Sequence, residues 1–152
     1  MKVGEVMVND VVALHRDVSA YDAVELMNKN RIGCLVVINS EGVVGILTER
    51  DLLERVLEQC KNPKETKVSE IMTRQVIVGK SDMQLAEATE LMFEKKVKKL
   101  PIVEGNRLVG LITLTDIARV ARLDKKTMEL IETRTRFLEA FVRGFCRPHA
   151  CI

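Results

Sequence analysis

The chain is written twice. Shifted by 65 residues, the stretch from Val3 to Val56 lies on Val68 to Ala121 without a gap. The matches fall in the same places in each copy. Val3-x-Glu5-x-Met7 lies on Val68-x-Glu70-x-Met72, Ala23-x-Glu25-Leu26-Met27 on Ala88-x-Glu90-Leu91-Met92, and Gly45-x-x-Thr48-x-x-Asp51 on Gly110-x-x-Thr113-x-x-Asp116. A repeat of this period implies two like units, related by a pseudo-two-fold axis and sharing a surface. Each copy alone is marginal in size for a stable core, so the two are expected to pack on each other as one unit. With 47% hydrophobic residues in 152, the pair has the side chains to do so.

Within copy one, a short helical turn over 4–8 precedes Val11-Val12, which reads as a short strand. Ser19-Ala-Tyr-Asp22 has the form of a capping box and opens a helix that runs to about Asn30. Cys34-Leu-Val-Val-Ile38 is short and rich in β-branched residues, as in a buried strand. The turn residues Asn39-Ser-Glu-Gly42 join it to a second strand, Val43 to Leu47, as a hairpin. Thr48 then caps a helix whose Leu52, Leu53, Val56 and Leu57 make an apolar stripe. Copy two repeats the order, with Val76-Ile-Val78, a helix over about Leu85 to Lys95, Leu100-Pro-Ile-Val103, Leu108 to Ile112 and a helix from Thr113. The predicted class is α/β (α+β), β-α-β-β-α twice. Copy one spans 2–60 and copy two 68–122, joined by a polar linker at 61–67, with a C-terminal helix and tail over 123–152.

The strand-to-helix step carries the chemistry. Gly45 and Gly110 lack a Cβ and admit a backbone or a ligand. The N-terminus of the following helix offers unpaired N–H groups, Thr48 and Thr113 offer hydroxyls, and Asp51 and Asp116 can accept from the neighbouring hydroxyls of a ribose. The same Thr-x-x-Asp spacing is nearly a capping box, which needs no ligand. Lys96, Lys98 and Lys99 ahead of the second strand of copy two favour a phosphorylated ligand at the copy-two site, and they equally suit a helix C-terminus. Arg50, matched in copy two by the uncharged Thr115, is a further candidate for a phosphate contact.

The ordered set, occurring twice at one offset, resembles a tandem pair of cystathionine-β-synthase (CBS) domains, a Bateman module, over about Lys2 to Arg122. The resemblance rests on Val-x-Glu-[Val/Ile]-Met at each start, the Asp17 and Asp82 turns, Glu-Leu-Met, Leu100-Pro-Ile-Val103 and Gly-[Ile/Leu]-[Leu/Ile]-Thr-x-x-Asp. It implies two pseudo-symmetric units packed through their sheets, dimerisation of two such modules, and adenosine-type ligands in the clefts: AMP, ADP, ATP or S-adenosylmethionine. It further implies ribose or phosphate contacts from Thr48, Asp51, Thr113 and Asp116. An adenine slot would be lined by Val12, Cys34 and Leu35 at one site and by Ile77, Leu100 and Pro101 at the other, with Lys99 nearby. Copy one has Val36 where copy two has Pro101, so the two sites are expected to differ.

The function expected from this is a non-enzymatic regulatory module that requires no cofactor and reports its ligand to an effector protein. The sequence has no nucleophile-base pair, P-loop or dinucleotide fingerprint to suggest catalysis. A ligand-free dimerisation scaffold is the alternative. Residues 122–147 carry seven Lys/Arg against four Asp/Glu, so a basic tail that touches nucleic acid is a weaker one. The balance of 24 basic to 22 acidic side chains speaks against a nucleic-acid binder as a whole. The lack of a signal-peptide core or membrane span, and four scattered cysteines, predict a cytoplasmic protein. The tail reads as a helix from Asp124 to about Arg143, with Ile131, Leu138, Phe141 and Phe145 near one face. Beyond it, Cys146, His149 and Cys151 are half of a zinc motif, since a structural site has four ligands.

Overall fold

A computed structural model describes residues 1–134. Copy one contributes β1 (Ala13–His15), α1 (Ala20–Asn30), β2 (Cys34–Asn39), β3 (Gly42–Thr48) and α2 (Glu49–Leu52), the last continuing as a π-helical turn over Leu53–Leu57. Copy two contributes α3 (Val68–Ile71), α4 (Leu85–Glu94), β4 (Lys99–Glu104), β5 (Arg107–Thr113) and α5 (Leu114–Val120). Residues 125–134 are helical and lay Ile131 against the core of copy two. The rest of the expected tail, with Phe137, Leu138, Phe141 and Phe145, and the Cys146, His149, Cys151 group, lies outside the described residues.

In copy one β1 pairs parallel with β2, and β2 pairs antiparallel with β3. In copy two β4 and β5 form the hairpin, and a single parallel bridge from Gly79 to Ile102 stands where β1 would be. The expected strands at Val11-Val12 and Val76–Val78 are therefore displaced. Sheet pairing begins at Ala13 in copy one and at Gly79 in copy two, just past the expected segments, and the apolar residues ahead of it serve another surface. Both hairpins slip register at the same step, Val37/Ile38 and Ile102/Val103, which are one repeat apart. Ser19 caps α1 by accepting from the Asp22 N–H at 3.1 Å, and Arg31 ends it in the left-handed region at φ 53.

The two cores are interlocked. Val68, Ile71 and Met72, which open copy two in sequence, are buried among Leu14, Met27, Leu35 and Leu47 of copy one. Val3, which opens copy one, is buried among Leu85, Met92, Leu100 and Ile112 of copy two. Matching hydrogen bonds hold each exchanged turn. Val68 and Ser69 N–H donate to the Val18 and Arg16 carbonyls, both at 2.9 Å, and Val3 and Gly4 N–H donate to those of Met83 and Ser81, also at 2.9 Å. Each turn then lies along the outer strand of the other hairpin. Thr73 pairs with Ile46 and Val8 with Leu111, so neither strand is left as a bare edge.

This exchange explains one repeated motif. A side chain at Gly45 would run into Met72, and one at Gly110 into Met7. The missing Cβ admits the methionine of the other copy's leading turn rather than a ligand. The segment at 61–67 is also anchored, since Ala20 and Tyr21 N–H donate to the carbonyls of Thr66 (2.8 Å) and Pro63 (3.0 Å).

Candidate functional site

Each Thr-x-x-Asp forms a complete capping box. Thr48 Oγ1 accepts from the Asp51 N–H at 3.3 Å, while Asp51 Oδ2 accepts from the Thr48 N–H and hydroxyl, both at 2.8 Å. Thr113 and Asp116 repeat this at 3.2, 3.0 and 2.6 Å. The cap occupies one carboxylate oxygen of each Asp. The other oxygen of Asp51 lies 3.4 Å from Arg55, whose guanidinium also donates to the Ile71 carbonyl at 2.7 Å. That arginine ties the cap of copy one to the leading turn of copy two. Its counterpart in copy two is Val120, and Asp116 instead meets the exposed Arg119 at 3.5 Å.

Among the described residues, two clefts open between the copies. The larger, of about 440 Å³, brings Thr48, Arg50 and Asp51 of copy one together with Ile77 and Lys99 of copy two. The smaller, of about 270 Å³, brings Val12 and Cys34 of copy one together with Thr113 and Lys99 of copy two. Each cleft thus takes its Thr from one copy and its apolar wall from the other. The lysines expected at a copy-two site therefore line the cleft of Thr48 and Asp51. Lys99 lines both clefts.

The remaining predicted residues are placed elsewhere. Leu35 and Leu100 have no exposed surface and point into the helix-side cores. Successive strand residues face opposite ways, so Cys34 and Lys99 take the cleft side and their neighbours cannot. Pro101 is buried, and its carbonyl accepts from the Gly79 N–H at 2.8 Å. Asp116 reaches the smaller cleft only through its bond to Thr113, which lines it. Thr73, Gln75, Val8 and Asp10 also line the clefts, and sequence reasoning missed them. Only the exchange of leading turns puts them there, and no local signal marks it.

Burial pushes the Cys34 thiol up, the Lys99 ammonium opposes that shift, and the Asp51 carboxylate adds to it. A thiol raised above its unfolded value stabilises the fold fully below the unfolded pKa, and that contribution is lost as pH rises through the folded one. Alkylation at pH 8 followed by peptide mapping is therefore expected to modify exposed Cys60 readily and Cys34 only after unfolding. Rapid labelling of Cys34 in the folded chain would contradict its burial.

A family model described as CBS domain matches residues 3–58 and again 68–122. The chain belongs to the CBS-domain family. It is 38% identical over 122 residues to an uncharacterized protein of Methanopyrus kandleri, covering 79% of this chain and 62% of that one. It is 39% identical over 150 residues to an inosine-5'-monophosphate dehydrogenase of Methanocaldococcus jannaschii, covering 97% of this chain and 28% of the dehydrogenase. The chain thus spans less than two thirds of either relative. Among solved structures, the CBS domain pair of protein MJ0100, in complex with 5'-methylthioadenosine and S-adenosyl-L-methionine, matches with a TM-score of 0.72. That pair is 27% identical, and the match covers 80% of this chain and 95% of that one.

The tandem CBS architecture accounts for both clefts as inter-repeat surfaces. Among the described residues no group of His, Cys, Asp and Glu is arranged to hold a metal ion. None of the described helices is long and apolar enough to cross a membrane.

Proposed function

We propose that this CBS pair is a non-enzymatic regulatory module. Its larger cleft binds an adenosine-containing ligand and relays occupancy to a partner protein. The observation that carries this reading is the composition of that cleft, in which Thr48 and Asp51 of one repeat face Val76, Ile77 and the Lys96–Lys99 run of the other. A ligand there touches both repeats at once, so its binding energy differs between their possible arrangements and shifts the balance among them. A volume of about 440 Å³ is within the range of about 300–1,000 Å³ usual for small-molecule sites.

Chemically, Asp51 retains acceptor capacity beyond its cap bonds and suits a ribose hydroxyl. Residues 74–78 pass the cleft without joining a strand ladder, leaving backbone groups for the polar edge of a base. The solved pair bound to methylthioadenosine and S-adenosylmethionine supports ligands of this class. Leu53 and Leu57, 54% and 69% exposed beside the α1–α2 groove, supply a surface for self-association or an effector.

The test is thermal unfolding of nucleotide-stripped protein with AMP, ADP, ATP or S-adenosylmethionine, alongside Asp51→Ala and Asp116→Ala. At ligand about 100 times its dissociation constant, linkage adds ~2.7 kcal/mol, or roughly 5–11 °C for this size. A shift given by AMP, ADP or ATP is expected to vanish in Asp51→Ala. No shift with any ligand at millimolar concentration would refute the sensor and leave a protein-interaction scaffold.

A further inference from the structure

We propose that the two clefts sort ligands by charge. The cleft of Thr48 and Asp51 takes an adenosine nucleotide carrying phosphates, and the cleft of Thr113 takes an adenosine derivative carrying none. This rests on the reading above, that the clefts bind adenosine compounds, and adds which kind goes where.

The clefts are built from equivalent positions, so their differences can be compared pair by pair. Thr73 and Gln75 of the larger cleft correspond to Val8 and Asp10 of the smaller one, each pair one repeat apart. Lys98 and Lys99 correspond to Gly33 and Cys34, and Arg50 to the uncharged Thr115. Arg31, the counterpart of Lys96, does not line the smaller cleft. The outcome is one net positive cleft and one balanced cleft on the same scaffold. The larger cleft is lined by Arg50, Lys96, Lys98 and Lys99 against Glu49 and Asp51. The smaller is lined by Lys99 against Asp10, with Val8, Val11, Val12 and Leu111 as apolar wall.

A phosphate chain entering the larger cleft meets an excess of cations. In the smaller cleft the single lysine is balanced by a carboxylate, and Lys99 also sits beside Cys34. A phosphate there would lose its own hydration against an apolar wall and face Asp10, both unfavourable. A methylthio group, by contrast, suits that wall. The two clefts share Gly33 and Lys99 in their linings, and the remaining residues of each are its own.

The experiment is isothermal titration of the full chain with ADP and with 5'-methylthioadenosine, each alone and each in the presence of the other. It is repeated with Lys96→Gln/Lys98→Gln and with Asp51→Ala, and at two salt concentrations. Lys96 and Lys98 are exposed, and a melting curve checks that the double variant folds. The expected result is that ADP and methylthioadenosine bind together without competing. The lysine variant should weaken ADP by about tenfold and leave methylthioadenosine unchanged, and raised salt should weaken ADP alone. Mutual displacement, or equal loss of both ligands in the lysine variant, would overturn the sorting while leaving the adenosine reading intact. Binding of neither compound at millimolar concentration would overturn both.

Discussion

Ile71→Ala is expected to lower the stability of the whole chain by about 2–5 kcal/mol, the range for emptying a buried aliphatic site. For a chain of this size that is a fall of roughly 4–20 °C in melting temperature. By sequence Ile71 belongs to the opening turn of the second repeat. In the structure it has no exposed surface and packs against the core of the first, with Leu35 and Leu47. The turn around it is fixed by the Val68 and Ser69 hydrogen bonds and by the Arg55 guanidinium on the Ile71 carbonyl. Little freedom therefore remains for the site to collapse around the missing atoms. Leu123→Ala, at a position 78% exposed, is the matched control and should stay within about 0.5 kcal/mol. Denaturant unfolding of both variants decides the point. A cost for Ile71→Ala no larger than that of the control would mean that the leading turns are not exchanged.

Gly42→Ala is expected to be as damaging, at about 2–6 kcal/mol, summing the strain of a disfavoured backbone conformation and an overpacked contact. Gly42 has φ of 121, a region that side chains rarely tolerate, and an added Cβ would run into the Asn106 main-chain carbonyl. The tip of the first hairpin thus rests directly on the tip of the second. Relief would require the two repeats to separate there, since the obstacle is backbone and not the end of a flexible side chain. Gly105 offers a comparison within the partner hairpin. Its φ is 59, and a Cβ there meets nothing within 4 Å. Gly105→Ala should cost only the left-handed backbone term, about 1–2 kcal/mol. Equal melting temperatures for the two alanine variants would show that the hairpin tips do not touch.

The hairpins, the long helices and both caps were readable from the sequence because each depends on local pattern. β2 carries a β-branched run, α1 opens at Ser19, and Thr48 and Thr113 stand where apolar strands give way to helix. The strands at Val11-Val12 and Val76–Val78 were misplaced for a physical reason. Those residues are apolar because Val11, Val12, Val76 and Ile77 line the clefts between the repeats, and hydrophobicity does not say which surface it serves. The same ambiguity hid the exchange of leading turns, since Val3 and Val68 would fit either of two equivalent cores. Of the residues lining the larger cleft, Thr48 and Asp51 were legible because the repeat marks them. Thr73, Gln75 and Asp10 were illegible, since their role exists only once the turns have crossed. Leu35, Leu100 and Pro101 were assigned to the clefts although strand alternation turns the two leucines to the opposite face.

The interlocking also sets the order in which the molecule can be completed as it is synthesised. Domains generally fold as units from the N-terminus as the chain emerges. Here the first repeat gains Val68, Ile71 and Met72 soon after its own last strand has been made. Val3 must wait for Leu85, Leu100 and Ile112, so the opening turn of the first repeat is made before the rest of the module yet is among the last parts of it to find its partners. Until the hairpin of the second repeat emerges, that turn is an unfilled key, and its docking closes the pair of repeats.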